Sequence, residues 1–203
     1  MIFFFTACVK KVDDSALARY LTAKREYERQ NLDAALSEFA ALNNEYTQFY
    51  QSIFMEGKTL YFLKRFDEAA VVFADLLEQK PSFSQARLWM ARVFTASGAW
   101  DMAETTLMEQ LAFDPTNPEI LFDLSKIKAK QGNIAGNLEY LQRAKSFSEE
   151  FVHVYINLAK FYYQNGLTDR ALKELDTALQ LLDKNHPLFF AIESLKEEIQ
   201  IHD

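Results

Sequence analysis

Apolar residues in this chain recur at steps of three and four, the spacing that lines one face of a helix. The pattern is plainest from Tyr50 to Phe83, YQSIFMEGKTLYFLKRFDEAAVVFADLLEQKPSF. It reads as two amphipathic helices split by a turn near Lys64–Arg65 and closed by Pro81. Gly57 sits midway along the first; Ala69 opens the second, with Phe73 and Leu76 on the same stripe. No Val/Ile/Thr-rich run with two-residue alternation appears, so the expected class is all-α. The whole pattern returns after 34 residues. Ala35, Ala69, Ala103 and Ala171 fall in one column, with Asn137 in the fourth place. Ala23, Gly57, Ala91, Ser125 and Ala159 form a second column of small residues. Gly98, Gly132 and Gly166 form a third, and Pro81 and Pro115 a fourth.

A 34-residue period with small residues at two fixed places resembles the tetratricopeptide repeat (TPR), a helix–turn–helix unit. The resemblance implies a right-handed α-solenoid of five such units, at 16–49, 50–83, 84–117, 118–151 and 152–185, followed by a capping helix over 186–203. The first unit carries Arg19 and Glu26 at otherwise apolar columns, as suits an end repeat that meets water. Trp100 shares a column with Leu32, Phe66 and Ile134 at the bend between helices and is expected in the core. The fourth unit is weakest, because Gly136 and Asn137 stand inside its second helix and a mid-helix Gly costs roughly 1 kcal/mol against Ala. In the last helix, Phe189, Phe190, Ile192 and Leu195 are expected to cover the final apolar edge, with Glu193, Lys196, Glu197 and Glu198 facing water.

Composition narrows the function. The net charge of −7 argues against broad nucleic-acid binding, which draws its affinity from phosphate neutralisation. The single cysteine, Cys8, excludes an internal disulfide. Within residues 1–15, Phe5-Thr6-Ala7-Cys8 resembles a degenerate lipobox, where bacterial lipoproteins are cleaved and acylated on cysteine; the family pattern prefers leucine at the place of Phe5. The basic stretch and long apolar core of a full secretory signal are not present before Cys8. The resemblance implies a lipid anchor at Cys8, a short polar tether and a place in the bacterial envelope, with membrane contact only through that anchor.

In the repeat family the first helix of each unit lines a concave groove, and the residue after the small column faces it. Here that residue is basic in all five units: Lys24, Lys58, Arg92, Lys126 and Lys160. Lys and Arg are 22 of 203 residues, far too few to fill one column by composition alone. Four residues earlier stand Tyr20, Phe54, Leu88, Phe122 and Ile156; three later stand Tyr27, Tyr61, Thr95, Ala129 and Tyr163. The expected site is a ladder of cations, about one Debye length apart, between apolar rows. It suits an extended, acidic, partly apolar protein segment. This is similar to the carboxylate-clamp members of the family, although only Asn157 stands near the place of their groove asparagines. The competing reading is a solvated face of helix-paired charges. Glu28 follows Lys24 at four residues and fits it, whereas Phe62, Ala96, Lys130 and Gln164 hold that place after the other four.

Catalytic chemistry is not visible. His153, His186 and His202 show no metal-ligand spacing, and no glycine-rich phosphate loop occurs. Glu56 and Arg87 occupy otherwise apolar columns and are placed to pair across units two and three. The reading is a non-catalytic interaction scaffold, without cofactor or metal, on the bacterial envelope. Two alternatives stand beside it: a cytoplasmic adaptor or co-chaperone binding acidic C-terminal tails, and a receptor closed around a small organic anion. Mass spectrometry of cell-derived protein is expected to find Cys8 acylated at a processed N-terminus; an unmodified peptide beginning at Met1 contradicts the anchor.

Overall fold

The computed structural model describes residues 10–201, so Cys8 and its lipidation lie outside the described residues. These residues form α1 (Asp14–Glu28), α2 (Leu32–Glu45), α3 (Tyr50–Phe62), α4 (Phe66–Gln79), α5 (Ser84–Ala96) and α6 (Trp100–Phe113). They continue as α7 (Pro118–Lys130), α8 (Ile134–Phe147), α9 (Val152–Gln164), α10 (Thr168–Gln180) and α11 (Pro187–Ile201), with no strand among them. The chain divides into two compact units, one up to Thr106 and one from Leu107. In the first unit α2, α3, α4 and α5 each pack on the helix before, and α3 also touches both α1 and α5. In the second, α8, α9, α10 and α11 each pack on their predecessor.

Each hairpin turns through one left-handed residue. Gln30, Lys64, Gly98, Gly132 and Gly166 all have φ between 61° and 83°, one per 34-residue period. The following amide closes the helix end in each case, as Arg65 N donating to Leu60 O (2.9 Å) and Ala99 N donating to Phe94 O (2.8 Å) show. This is the Schellman geometry, which favours glycine because a Cβ crowds the following carbonyl. The first two repeats reach it with Gln30 and Lys64 instead, which is why the glycine column starts only in the third.

The two small columns are where helices approach most closely. Ala23, Gly57, Ala91, Ser125 and Ala159 are buried, as are Ala35, Ala69, Ala103 and Ala171. Large residues fill the space so made: Phe39, Phe73, Leu107, Leu141 and Leu175 share one column and are at most 1% exposed. Gly57 shows the constraint most sharply, since a Cβ there would lie 2.7 Å from ring carbons of Phe73. Burying a phenylalanine side chain contributes about 2–3 kcal/mol, so this contact is central to the first unit. Asn137, in the alanine column, turns its Nδ2 to donate to Ser125 O at 2.8 Å, bridging α8 to the small column of α7.

Three expectations are corrected. Trp100 is 36% exposed and Ile134 61%, because this column opens the second helix at the rim of the bend, where one side has no neighbour to cover it. Phe190 is 66% exposed on α11; Ile192 and Ile199, one helical face round, are the residues buried against the second unit. Arg19 and Glu26 do not simply meet water. Arg19 bonds Glu38 (2.5 Å) and Glu45 (2.8 Å) of α2, and Glu26 accepts from Asn31 (2.7 Å).

The Gly57→Ala variant is expected to lose stability. Overpacking typically costs about 1–3 kcal/mol, and the better helix propensity of alanine returns about 1. Urea unfolding should show a lowered midpoint, corresponding to a loss of up to about 2 kcal/mol, with the slope unchanged. An unchanged or raised midpoint contradicts the packing account.

Candidate functional site

In the first unit α3 lies between α1 and α5, which brings equivalent positions of three first helices onto one face. Lys58 is half-buried at its centre. Its Nζ lies 4.8 Å from the centroid of Trp89, 5.4 Å from that of Tyr27 and 5.7 Å from that of Phe54. Arg92 Cζ is 4.9 Å from the same Trp89 ring. The two cations therefore stand within about one Debye length of each other, roughly 10 Å at 0.1 M salt.

The rings around them form one cluster. Tyr27 meets Phe62 edge-on at 5.9 Å, Tyr61 meets Trp89 edge-on at 5.3 Å, and Phe62 meets Trp89 at 5.8 Å. Phe62 remains 47% exposed, so the cluster presents apolar surface to water. A ring quadrupole holds a cation without cancelling its charge, and each such contact contributes about 0.5–2 kcal/mol. The face thus sets two cations among aromatic rings and is partly open.

The expected flanking rows divide into two kinds. Tyr20, Phe54 and Phe122 are engaged in packing within their units. Tyr20 meets Phe39 (5.9 Å) and Phe49 (5.1 Å), Phe54 meets Phe73 (6.0 Å) and Phe83 (5.3 Å), and Phe122 meets Phe151 (5.2 Å). Leu88 and Tyr163 are half-buried on α5 and α9. Tyr27 and Tyr61 join the Lys58 cluster. Phe62 and Trp89 were not among the expected site residues. Trp89 shares its column with Leu21, Met55, Asp123 and Asn157, so a search for repeated residue types passes over it. Its signal lay in the local spacing, three residues before Arg92.

The cations are not equivalent either. Lys24 pairs loosely with Glu28 at 3.8 Å, both well exposed. Lys126 forms an ion pair with Asp123, three residues earlier, and Asp123 is only 3% exposed. That partner precedes Lys126, so looking four residues ahead misses it. Lys126 also lies 4.8 Å from the Phe122 ring, beside which His153 stacks at 6.3 Å. Lys160 is exposed on α9. Glu56 does not pair with Arg87; it accepts a hydrogen bond from Asn43 Nδ2 at 2.6 Å. Among the described residues no group of three or more His, Cys, Asp or Glu could hold a metal ion, and no helix is long and apolar enough to cross a membrane.

Comparison with known proteins agrees with the fold. Residues 63–121 and 152–182 each match a model of the tetratricopeptide repeat. No curated protein matches the chain by sequence. A thermophilic TPR protein of Thermus thermophilus superposes with a TM-score of 0.79 at 16% identity, over 92% of this chain and 99% of that one. A tetratricopeptide repeat protein of Parabacteroides merdae gives 0.80 at 17% identity, over 91% and 71%. YrrB, described as a TPR protein with an unusual peptide-binding site, gives 0.55 at 15% identity, over 88% and 92%. Residues 63–121 and 152–182 thus match tetratricopeptide repeats, and the fold is an all-α solenoid of that type with a C-terminal capping helix.

Tyr27 gives this face a pH signature. Burial disfavours its phenolate and pushes its pKa up to about 12 from the ordinary 10. The folded state therefore holds the proton more tightly than the unfolded chain. The associated stability is complete below pH 10 and is lost as pH rises from about 10 to 12. Tyr27→Phe should make unfolding less sensitive to pH across that interval, and absorbance titration should lose one late-ionising tyrosine. A titration curve unchanged in shape at its alkaline end contradicts the burial of Tyr27.

Proposed function

We propose that this chain is a non-catalytic scaffold whose α1–α3–α5 face holds an extended, acidic segment of a partner protein. Tetratricopeptide repeats act generally as protein-interaction scaffolds and are typically non-catalytic, which gives the coarse function. The finer reading rests on one observation: Lys58 and Arg92 flank a single ring, Trp89, inside a partly exposed aromatic cluster. Carboxylates of the partner pair with the two cations, and an apolar side chain lies against Phe62 and Trp89. Aromatic and arginine side chains are the residue types that dominate binding energy in interfaces. In the second unit Lys126 pairs with the buried Asp123. The peptide-binding site ascribed to YrrB, on a related fold, is in keeping with a peptide ligand.

The location proposed is the bacterial envelope, with Cys8 acylated; it rests on the lipobox-like Phe5-Thr6-Ala7-Cys8 alone.

The test is binding of a fluorescent peptide rich in Glu and carrying one Leu or Phe. Lys58→Glu combined with Arg92→Glu should weaken it by more than about tenfold, that is by at least about 1.4 kcal/mol. Lys126→Glu should change it much less. Affinity should also fall between about 50 and 500 mM salt, as screening demands. Binding untouched by the double reversal, with helicity and melting preserved, contradicts the proposal.

A further inference from the structure

The opposite side of the first unit holds a second concavity, distinct from the aromatic face. A groove of about 550 Å³ runs between α2 and α4, with α3 as its floor. Leu36, Leu60, Val71 and Val72 supply its apolar surface, and Val71 is 60% exposed at the rim. Its charged groups are Asp33, Glu56, Glu68 and Arg65. Arg65 is already satisfied by Glu68, through Nε (2.7 Å) and NH2 (2.6 Å), so the lining is left net acidic.

Glu56 is the unusual member. It takes a column that elsewhere holds Thr22, Met90, Leu124 and Leu158. Burial pushes its carboxyl above the usual range, and the Asn43 hydrogen bond offsets this only in part. Asn43 Oδ1 is itself buried without a hydrogen-bond donor among the described residues. A half-buried carboxylate beside an unmet carbonyl oxygen is costly unless a donor arrives.

The second unit shows what fits there. Three periods later the same groove lies between α8 and α10 over α9, and Lys145 stands at the position of Asn43. Its Nζ donates to both oxygens of Glu174 (2.8 and 2.7 Å) and lies 4.8 Å from the Tyr155 ring. Leu158 there replaces Glu56. The second unit thus carries its own ammonium in the wall of its groove. The first has the reverse arrangement: a carboxylate in the floor and a neutral amide at the cation's place.

We propose that the α2–α4 groove of the first unit binds a lysine or arginine side chain of a partner protein, its charged head on Glu56 and its stem on Leu36 and Val72. The groove exceeds the volume of one such side chain, and its exposed apolar rim at Val71 is placed to meet the residues on either side of it. A basic segment here and an acidic one on the α1–α3–α5 face would let the two sides of the unit hold different partners.

The experiment is an NMR titration of the full ¹⁵N-labelled chain. The probes are an acetylated, amidated Leu-Arg-Leu peptide, its citrulline counterpart and free n-butylguanidinium. The Arg peptide should shift amides around Leu36, Glu56, Leu60 and Val72 and bind at least about tenfold more tightly than the citrulline peptide. Glu56→Gln should weaken it by a similar factor, Asn43→Lys should abolish it by supplying the cation internally, and Lys58→Glu with Arg92→Glu should leave it unchanged. Equal binding of the citrulline peptide, shifts centred elsewhere, or indifference to both groove variants overturns the proposal. Butylguanidinium binding as tightly as the peptide also overturns it, by making the site one for small cations.

Discussion

The close approach of α3 to α4 at Gly57 is the contact on which the first unit depends. Phe73 packs where a side chain on Gly57 would stand, 2.7 Å from the place of its Cβ, so a Cβ there requires the ring to shift. The same exchange of small for large repeats at Ala23 with Phe39 in the neighbouring columns, and the small positions remain buried throughout. This exchange fixes how far one helix sits from the next. It therefore fixes which residues of α1, α3 and α5 share a face. Lys58 follows Gly57 directly, so the residue that permits the packing also sets the position of the cation. Trp89 and Tyr27 reach Lys58 only because the neighbouring helices approach to this distance.

That geometry gives the two sides of the first unit different chemistry from one repeated plan. The first helices carry rings and cations in contact with one another. The second helices carry carboxylates about an apolar trough. Glu56, on the back of α3, belongs to the acidic side although it lies only two residues from Lys58. A helix turns about 200° over two residues, so adjacent chemistry in the chain becomes opposed chemistry in space.

The fold was legible because it is written in periods. Small columns, turn positions and helix ends repeat every 34 residues, and the left-handed turn residue falls in step even where Gln30 and Lys64 stand in for glycine. The site was legible only in part. The basic column located Lys58 and Arg92, and Tyr27 and Tyr61 were found with it. Trp89 and Phe62 of the candidate site were missed because their columns hold different residue types in each repeat, so periodicity carries no information about them. Tyr20, Phe54 and Phe122 were assigned to the groove because their column faces it. Their rings also pack on Phe49, Phe83 and Phe151 at the end of the same repeat, while Phe54 stays 5.7 Å from Lys58 Nζ and Phe122 4.8 Å from Lys126 Nζ. The neutralisation of Lys126 by Asp123 was hidden for a simpler reason: the acid precedes the lysine and is buried.

The central claim is that the aromatic, basic face of α1, α3 and α5 is where an acidic protein segment docks. Hydrogen–deuterium exchange of the full chain, with and without a saturating Glu-rich peptide, tests it most directly. The account predicts slowed exchange in peptides covering 20–28, 54–63 and 86–96, with α2 and α4 unchanged. Slowing confined to α2 and α4, or to the second unit, or none at saturation, would contradict it.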